Sequence, residues 1–245
     1  MPLLPNRKSV GCRWVFRLKK NPNGSVNRYK ARLIAKGYLQ TLGFDFTETF
    51  SLVVKATSLR IILTIVLARG WQLRQLDANN TFLNRSLQEE VYMDQPPRFE
   101  QWKDLACKLH KALYGLKQAT RAWFVKLKNS LSSLGFTLSK ANQSLFLKNT
   151  TTSYVFILDY VDDIIITRSS NKELKQLFFH LNRSFSLKDL GELNYFLGIE
   201  VKRVAKGFHL SQRKCINDVL KKMKMNNANP LPTPMVCGHL KRVIL

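Results

Sequence analysis

The stretch Tyr154-Val155-Phe156-Ile157-Leu158-Asp159-Tyr160-Val161-Asp162-Asp163-Ile164-Ile165-Ile166-Thr167 decides the fold. Residues 154–158 and 164–167 are two runs of aromatic and aliphatic side chains, many of them β-branched, as buried strands are. The short segment between them carries two adjacent aspartates, so the expectation is an apolar hairpin with an acidic turn. Two carboxylates held close repel each other and need a counter-charge. A divalent cation supplies one, and hard oxygen donors with retained waters suit Mg²⁺. The plainer reading is a polar turn, because aspartate is a common turn residue.

Working outward, Gln72-Leu73-Arg74-Gln75-Leu76 reads as part of a strand from Trp71 to Asp77, with Asp77 at its end. A third carboxylate there completes a two-metal site if the two strands are neighbours in one sheet. Two ions about 3.5–4 Å apart activate an attacking hydroxyl and stabilise a leaving pyrophosphate. Helices are expected over 57–69 (Ser58 capping, Gly70 ending), 117–133 (Gly135 ending) and 171–183 (starting after Ser170 or Asn171). A further helix is expected from Ser211 to about Met225, before Pro230, Pro232 and Pro234. Further strands are expected at Glu89–Met93, Tyr195–Val204 and Phe208–Leu210. Residues 12–36 read as a hairpin around Asn21-Pro22-Asn23-Gly24. The order predicts an α+β fold, an antiparallel sheet with helices on one face.

The charge points to a polyanionic partner. Forty Lys plus Arg against sixteen Asp plus Glu give a net +24 on 245 residues, and a compact domain at that charge repels itself. Nucleic acid is the first candidate and an anionic membrane surface the second. The basic residues of the first hairpin suit either phosphate contact or a solvated ribbon. Cys12, Cys107, Cys215 and Cys237 form no close pair, so neither a zinc site nor a disulfide framework is expected, and an intracellular setting is. The longest apolar stretch, Ile61 to Ala68, is too short to span a bilayer.

Several ordered motifs carry a resemblance. They are Gly11 to Phe16, Tyr29 to Gly37, Glu48 to Ser51, Gln75 to Leu83, Glu89 to Met93, Leu113 to Ala119, Tyr160 to Ile165 and Lys188 to Glu200. Together they resemble the reverse transcriptase domain of copia-type LTR retrotransposons over roughly residues 8–235. The resemblance implies an RNA-directed DNA polymerase built as a right hand: fingers and palm over 1–205, and the start of a thumb or connection over 206–245. It implies a template with its primer and dNTPs as partners, and two Mg²⁺ ions held by Asp77, Asp162, Asp163 and the carbonyl of Ala78. Lys30 and Arg32 match triphosphate-gripping residues, and Phe82 matches the bulky side chain that excludes a 2′-hydroxyl. Tyr114, Gly115 and Gln118 fall near nucleotide and template; Phe196, Leu197 and Gly198 match the primer grip.

The chain also departs from the pattern. Leu52 stands where proline is usual, glycine is expected near Arg85 and again at Arg98, and Asp159 stands where the strand is usually apolar. Nothing in the sequence resembles protease, integrase or ribonuclease H. These departures keep a second expectation open, a nucleic-acid-binding relic without catalytic turnover.

Overall fold

The computed structural model describes residues 1–21, 23–49, 54–78, 81–83, 86–101, 104–151, 153–169, 172–205 and 207–228, with only the backbone described for 172–176. Pro22, Leu52, Arg85, Ser170, Asn171 and Pro230 to Pro234 therefore lie outside the described residues. The chain opens with the expected hairpin, β1 (Cys12–Lys20) and β2 (Val26–Ala35), closed at its turn by Gly24 N–H donating to the Asn21 carbonyl (2.9 Å). Helix α1 (Ala56–Arg69) leads through Trp71 into β3 (Gln72–Ala78). A second hairpin, β4 (Ser86–Asp94) with β5 (Ala106–Lys111), precedes α2 (Ala119–Ser133). Then come β6 (Thr137–Leu138), β7 (Leu145–Asn149), β8 (Tyr154–Tyr160), β9 (Asp163–Arg168), α3 (Lys172–Phe185) and β10 (Leu187–Glu192). The remaining elements are β11 (Tyr195–Phe196), β12 (Ile199–Val204), β13 (Gly207–Ser211) and α4 (Arg213–Lys222).

Six of these strands form one antiparallel sheet in the order β10-β3-β9-β8-β7-β6. The fold is thus α+β around a large antiparallel sheet, and it divides into two compact units, Met1–Leu193 and Asn194–Leu245. The six-stranded sheet lies wholly in the first unit; the second holds a small sheet, β11-β12-β13, and α4. Among the described residues no helix is long and apolar enough to cross a membrane.

Side-chain alternation sorts the sheet into two faces. On one face Leu76 and Ala78 of β3, Ile164 and Ile166 of β9 and Val155 and Ile157 of β8 join Trp123, Leu127 and Leu131 of α2 and Leu181 and Phe185 of α3 in one apolar cluster. The α2 residues recur at a spacing of four, the stripe that the sequence pattern predicts. Asp77 and Asp163, directly opposite each other, occupy the other face. The first hairpin joins the same unit at its base. Ala35 N–H donates to the Tyr114 carbonyl (2.8 Å), and a Cβ on Gly37 would come 1.9 Å from the carbonyl oxygen of Gly115. Gly115 itself has φ +92°, and a Cβ there would stand 2.1 Å from the Ala35 oxygen. Any side chain at either glycine would force these two backbones apart.

Several local expectations are corrected. α1 starts two residues before Ser58, with Lys55 at its N-cap and no side-chain cap; Ser58 Oγ instead accepts from Asn142 Nδ2 (2.7 Å). α4 starts after Gln212, because the Ser211 hydroxyl donates to Glu200 Oε2 (2.9 Å) across β12–β13. The expected strand Tyr195–Val204 is broken by Leu197 and Gly198, whose φ values of 51° and 81° make a two-residue hairpin turn. β5, β6, β7 and β10 were not expected. β10 reads as a charged segment with a glycine, and it is an edge strand with a bulge between Asp189 and Gly191.

Two departures from the family pattern have structural consequences. Arg98 has φ 71°, a left-handed conformation that costs a non-glycine residue about 1–2 kcal/mol. Asp159 lies on the helix-facing side of β8, only 4% exposed, and accepts from the Trp123 indole N–H (3.3 Å). Burial, and to a smaller degree the charge of Asp162, push its pKa up to about 8.

We predict that Arg98→Gly raises stability by about 1 kcal/mol in denaturant titration. For Asp159 the folded pKa lies above the unfolded one, so its penalty is absent below the unfolded value and grows as pH rises toward about 8. Asp159→Asn should leave stability near pH 4 little changed. It should remove a loss of up to about 1.4 kcal/mol per pH unit between pH 4 and 8, read as a flatter dependence of Tm on pH. Parallel curves for the two proteins would contradict a buried neutral carboxyl.

Candidate active site

The register of β3 against β9 builds the acidic centre. Leu76 pairs with Ile164 and Asp77 with Asp163, and Ala78 N–H donates to the Asp162 carbonyl (2.7 Å). The end of β3 is therefore stitched to the hairpin tip. Tyr160 pairs with Asp163, which leaves Val161 and Asp162 as a two-residue turn. Only Val161 has positive φ (54°), the pattern of a type II′ turn, whose first position favours glycine. A β-branched residue held there is strained.

Each tip carboxylate has a neutral partner. Asp162 Oδ1 accepts from the Thr81 hydroxyl, which also lies 2.8 Å from the Ala78 carbonyl; its single proton serves one oxygen at a time. Asp163 Oδ1 accepts from Gln75 Nε2 (3.1 Å). Burial, partly offset by these hydrogen bonds, raises the pKa of both, and Asp77 pushes each further up. The centre thus holds negative charge that side-chain amides and hydroxyls do not neutralise. Among the described residues, though, no three acidic, histidine or cysteine side chains stand close enough to hold an ion between them. The donor chemistry suits a hard divalent cation, while the Asp162 and Asp163 side chains are engaged by Thr81 and Gln75.

Cations face this centre from the first hairpin. Arg17 pairs with Lys30 and Val15 with Arg32, so Lys30 and Arg32 share one face of the ribbon. Burial lowers the Lys30 pKa, the charges of Arg32, Arg28 and Lys19 lower it further, and Asp77 opposes them. Arg32 and Lys30 in turn pull down on Asp162. The Arg32 guanidinium lies 5.2 Å from the centre of the Tyr114 ring, and the Phe82 ring meets Tyr114 edge-on at 4.9 Å. Burial raises the Tyr114 hydroxyl pKa, with Asp162 adding to it and Arg32 opposing. Asp77, Asp162, Asp163, Lys30, Arg32, Tyr114 and Phe82 thus form one neighbourhood, in which Phe82 is also buried in the core.

Other expected site residues have contacts elsewhere. Gly115 makes the tight backbone joint with Ala35 and Gly37. Gln118 is buried, accepting from Gln40 Nε2 (3.0 Å) and donating to the Asp45 carbonyl (2.9 Å). Phe196, Leu197 and Gly198 lie in the second unit, where Phe196 ends β11 and Leu197 and Gly198 turn the chain into β12. Thr81 and Gln75 were missed by sequence reasoning. Gln75 had a signal, since it lies two residues before Asp77 and so on the same face of an otherwise apolar strand.

A family model described as reverse transcriptase (RNA-dependent DNA polymerase) matches residues 2–237. The retrovirus-related Pol polyprotein from transposon RE1 of Arabidopsis thaliana is 53% identical over 92% of the chain, and that from transposon RE2 of the same plant 50% over 96%. The Pol polyprotein from transposon TNT 1-94 of Nicotiana tabacum is 40% identical over 96%. The chain spans only 16–18% of the length of these relatives. On these matches the chain belongs to the reverse transcriptase family, as the domain found in copia-type retrotransposon Pol polyproteins.

Proposed function

We propose that the chain is an RNA-directed DNA polymerase that joins a dNTP to a primer 3′-hydroxyl. The observation that carries this reading is Asp77 lying opposite Asp163 with Asp162 at the adjoining tip. In this reading the six-stranded sheet is the palm, β1–β2 belongs to the fingers, and the second unit carries the primer grip at Phe196 to Gly198 and the start of the thumb. The 3′-hydroxyl gives up its proton to solvent as its oxygen attacks the α-phosphorus of the dNTP; a new P–O bond forms, the P–O bond between the α- and β-phosphates breaks, and pyrophosphate leaves with that electron pair.

The chain's own residues prepare that step. Lys30 and Arg32 bind the triphosphate, whose negative charge opposes the burial and the neighbouring Arg32, Arg28 and Lys19 charges that together lower the Lys30 pKa. Tyr114 and Phe82 form an aromatic wall beneath the sugar, where a 2′-hydroxyl would overlap the Phe82 ring. Gly115 and Gln118 hold that wall against the hairpin base. Asp77, Asp162, Asp163 and the Ala78 carbonyl would hold two Mg²⁺ ions, with Asp162 and Asp163 turning from Thr81 and Gln75. Once bound, such ions supply Lewis acidity at the attacking hydroxyl and charge neutralisation at the leaving phosphate.

A second reading is a nucleic-acid binder without turnover. The engagement of Asp162 by Thr81 and of Asp163 by Gln75 favours it, because neither carboxylate is free as it stands.

Primer extension on poly-rA with oligo-dT and Mg²⁺ separates the two. Wild type should incorporate dTTP, and Asp162→Asn should fall by about 100-fold or more; equal incorporation by both would sink the catalytic assignment. A readout independent of turnover is Mg²⁺-dependent melting. Asp162 and Asp163 have raised pKa values, so their ionisation destabilises the fold as pH rises from the ordinary carboxylate value to the raised one, and a bound cation reverses this. Added Mg²⁺ should therefore raise Tm more at pH 8 than at pH 5, and Asp77→Asn should abolish the difference.

A further inference from the structure

Asp162 is tied twice to the end of β3. Its backbone carbonyl accepts from Ala78 N–H (2.7 Å), and its Oδ1 accepts from the Thr81 hydroxyl. Thr81 Oγ1 also lies 2.8 Å from the Ala78 carbonyl oxygen. Ala78, Thr81 and Asp162 thus close a ring of hydrogen bonds around one hydroxyl proton. Thr81 is 1% exposed, so this proton is shared inside the protein rather than with solvent. Among the described residues no Lys or Arg forms an ion pair with Asp162; Lys30 and Arg32 act on it only from farther away.

The ring occupies two of the oxygens that a cation would need. A hydroxyl has a single proton to donate. Two oxygens at hydrogen-bond distance enclose that proton and leave no room for an ion between them. This accounts for a contrast in the centre. The register sets Asp77 opposite Asp163 with Asp162 beside them, yet among the described residues no three such side chains stand close enough to hold an ion. The backbone is assembled while the carboxylate is turned aside. Gln75 holds one oxygen of Asp163, but Thr81 is bonded to the Asp162 carboxylate and the Ala78 carbonyl together.

We infer that Thr81 is a positioning residue that competes with the cation: its hydroxyl holds Asp162 toward the Ala78 carbonyl and sets how readily the nucleotide-free centre takes up a divalent ion. The inference rests on the proposed metal role of Asp162 and Ala78, and not on turnover. For an ion to bind, Asp162 leaves Thr81, and the hydroxyl turns wholly to the Ala78 carbonyl, whose second lone pair stays available. Deleting the hydroxyl deletes the bond that the ion must replace, so affinity rises. A hydroxyl acting as a ligand gives the opposite sign, and one that only fills space gives no change.

The test is Mn²⁺ binding to the full chain without nucleotide or nucleic acid, read from the paramagnetic resonance signal of free Mn²⁺. Carboxylate and carbonyl oxygens suit Mn²⁺ as they suit Mg²⁺. A hydrogen bond to a charged group corresponds to on the order of 10- to 150-fold in an equilibrium, and the shared proton places Thr81 at the low end. Thr81→Val, close in shape but without the hydroxyl, should bind Mn²⁺ about tenfold more tightly. In chelator it should melt at a lower temperature, because Asp162 then lacks its donor. Thr81→Ser should match wild type in both measurements, which separates the hydroxyl from packing. In an Asp162→Asn background, Thr81→Val should leave Mn²⁺ binding unchanged. Weaker or equal Mn²⁺ binding by Thr81→Val would overturn the inference. So would tightening that persists without the Asp162 carboxylate, or no saturable Mn²⁺ binding by either protein. Primer extension is scored separately: absent incorporation with the tenfold tightening intact removes the polymerase reading and leaves this one standing.

Discussion

The pairing of β3 with β9 is the constraint on which the rest depends. It sets Asp77 against Asp163 while placing Leu76 beside Ile164 in the core. Like charges that would separate in water are held together by a backbone ladder and by apolar burial on the opposite face. The strand period of two makes the arrangement all-or-none: a slip of one residue would turn Asp77 into the core and Leu76 out of it. The strained Val161 turn and the Ala78–Asp162 backbone bond then fix where the tip points. The acidic centre is therefore a local liability secured by the helix-facing core.

The same period organises the first hairpin. Its inner face carries Lys30 and Arg32, within electrostatic reach of Asp77 and Asp162; its outer face carries Trp14 and Phe16. A two-stranded ribbon has no core of its own, so each face is available for a different task. The Gly37–Gly115 joint is what lets this be done without a third strand. Backbones in contact transmit the position of the ribbon to Tyr114, and through it to Phe82.

Much of this was legible in the sequence. The acidic turn, the Asp77 strand end, the basic hairpin and the α2 stripe follow from period and composition, and all lie where those patterns put them. What was not legible depends on contacts between distant residues. Gly115 falls near nucleotide and template by resemblance, yet its φ and its approach to Ala35 are set by a partner strand some eighty residues earlier. Gln118 has no pattern that reveals Gln40 and Asp45 as its partners. β10 lacks apolar alternation because an edge strand buries only part of itself. The Tyr195–Val204 segment looks continuous, since nothing in Leu197 announces a left-handed turn residue.

The position of β3 in the sheet also bears on how the chain is made. Both of its neighbours, β9 and β10, lie later in the sequence, at 163–168 and 187–192. On a ribosome adding about 5–20 residues per second, β3 waits many seconds before either partner has emerged. During that interval Leu73, Leu76 and Ala78 belong to a strand with two bare edges, the form most open to pairing with another nascent chain.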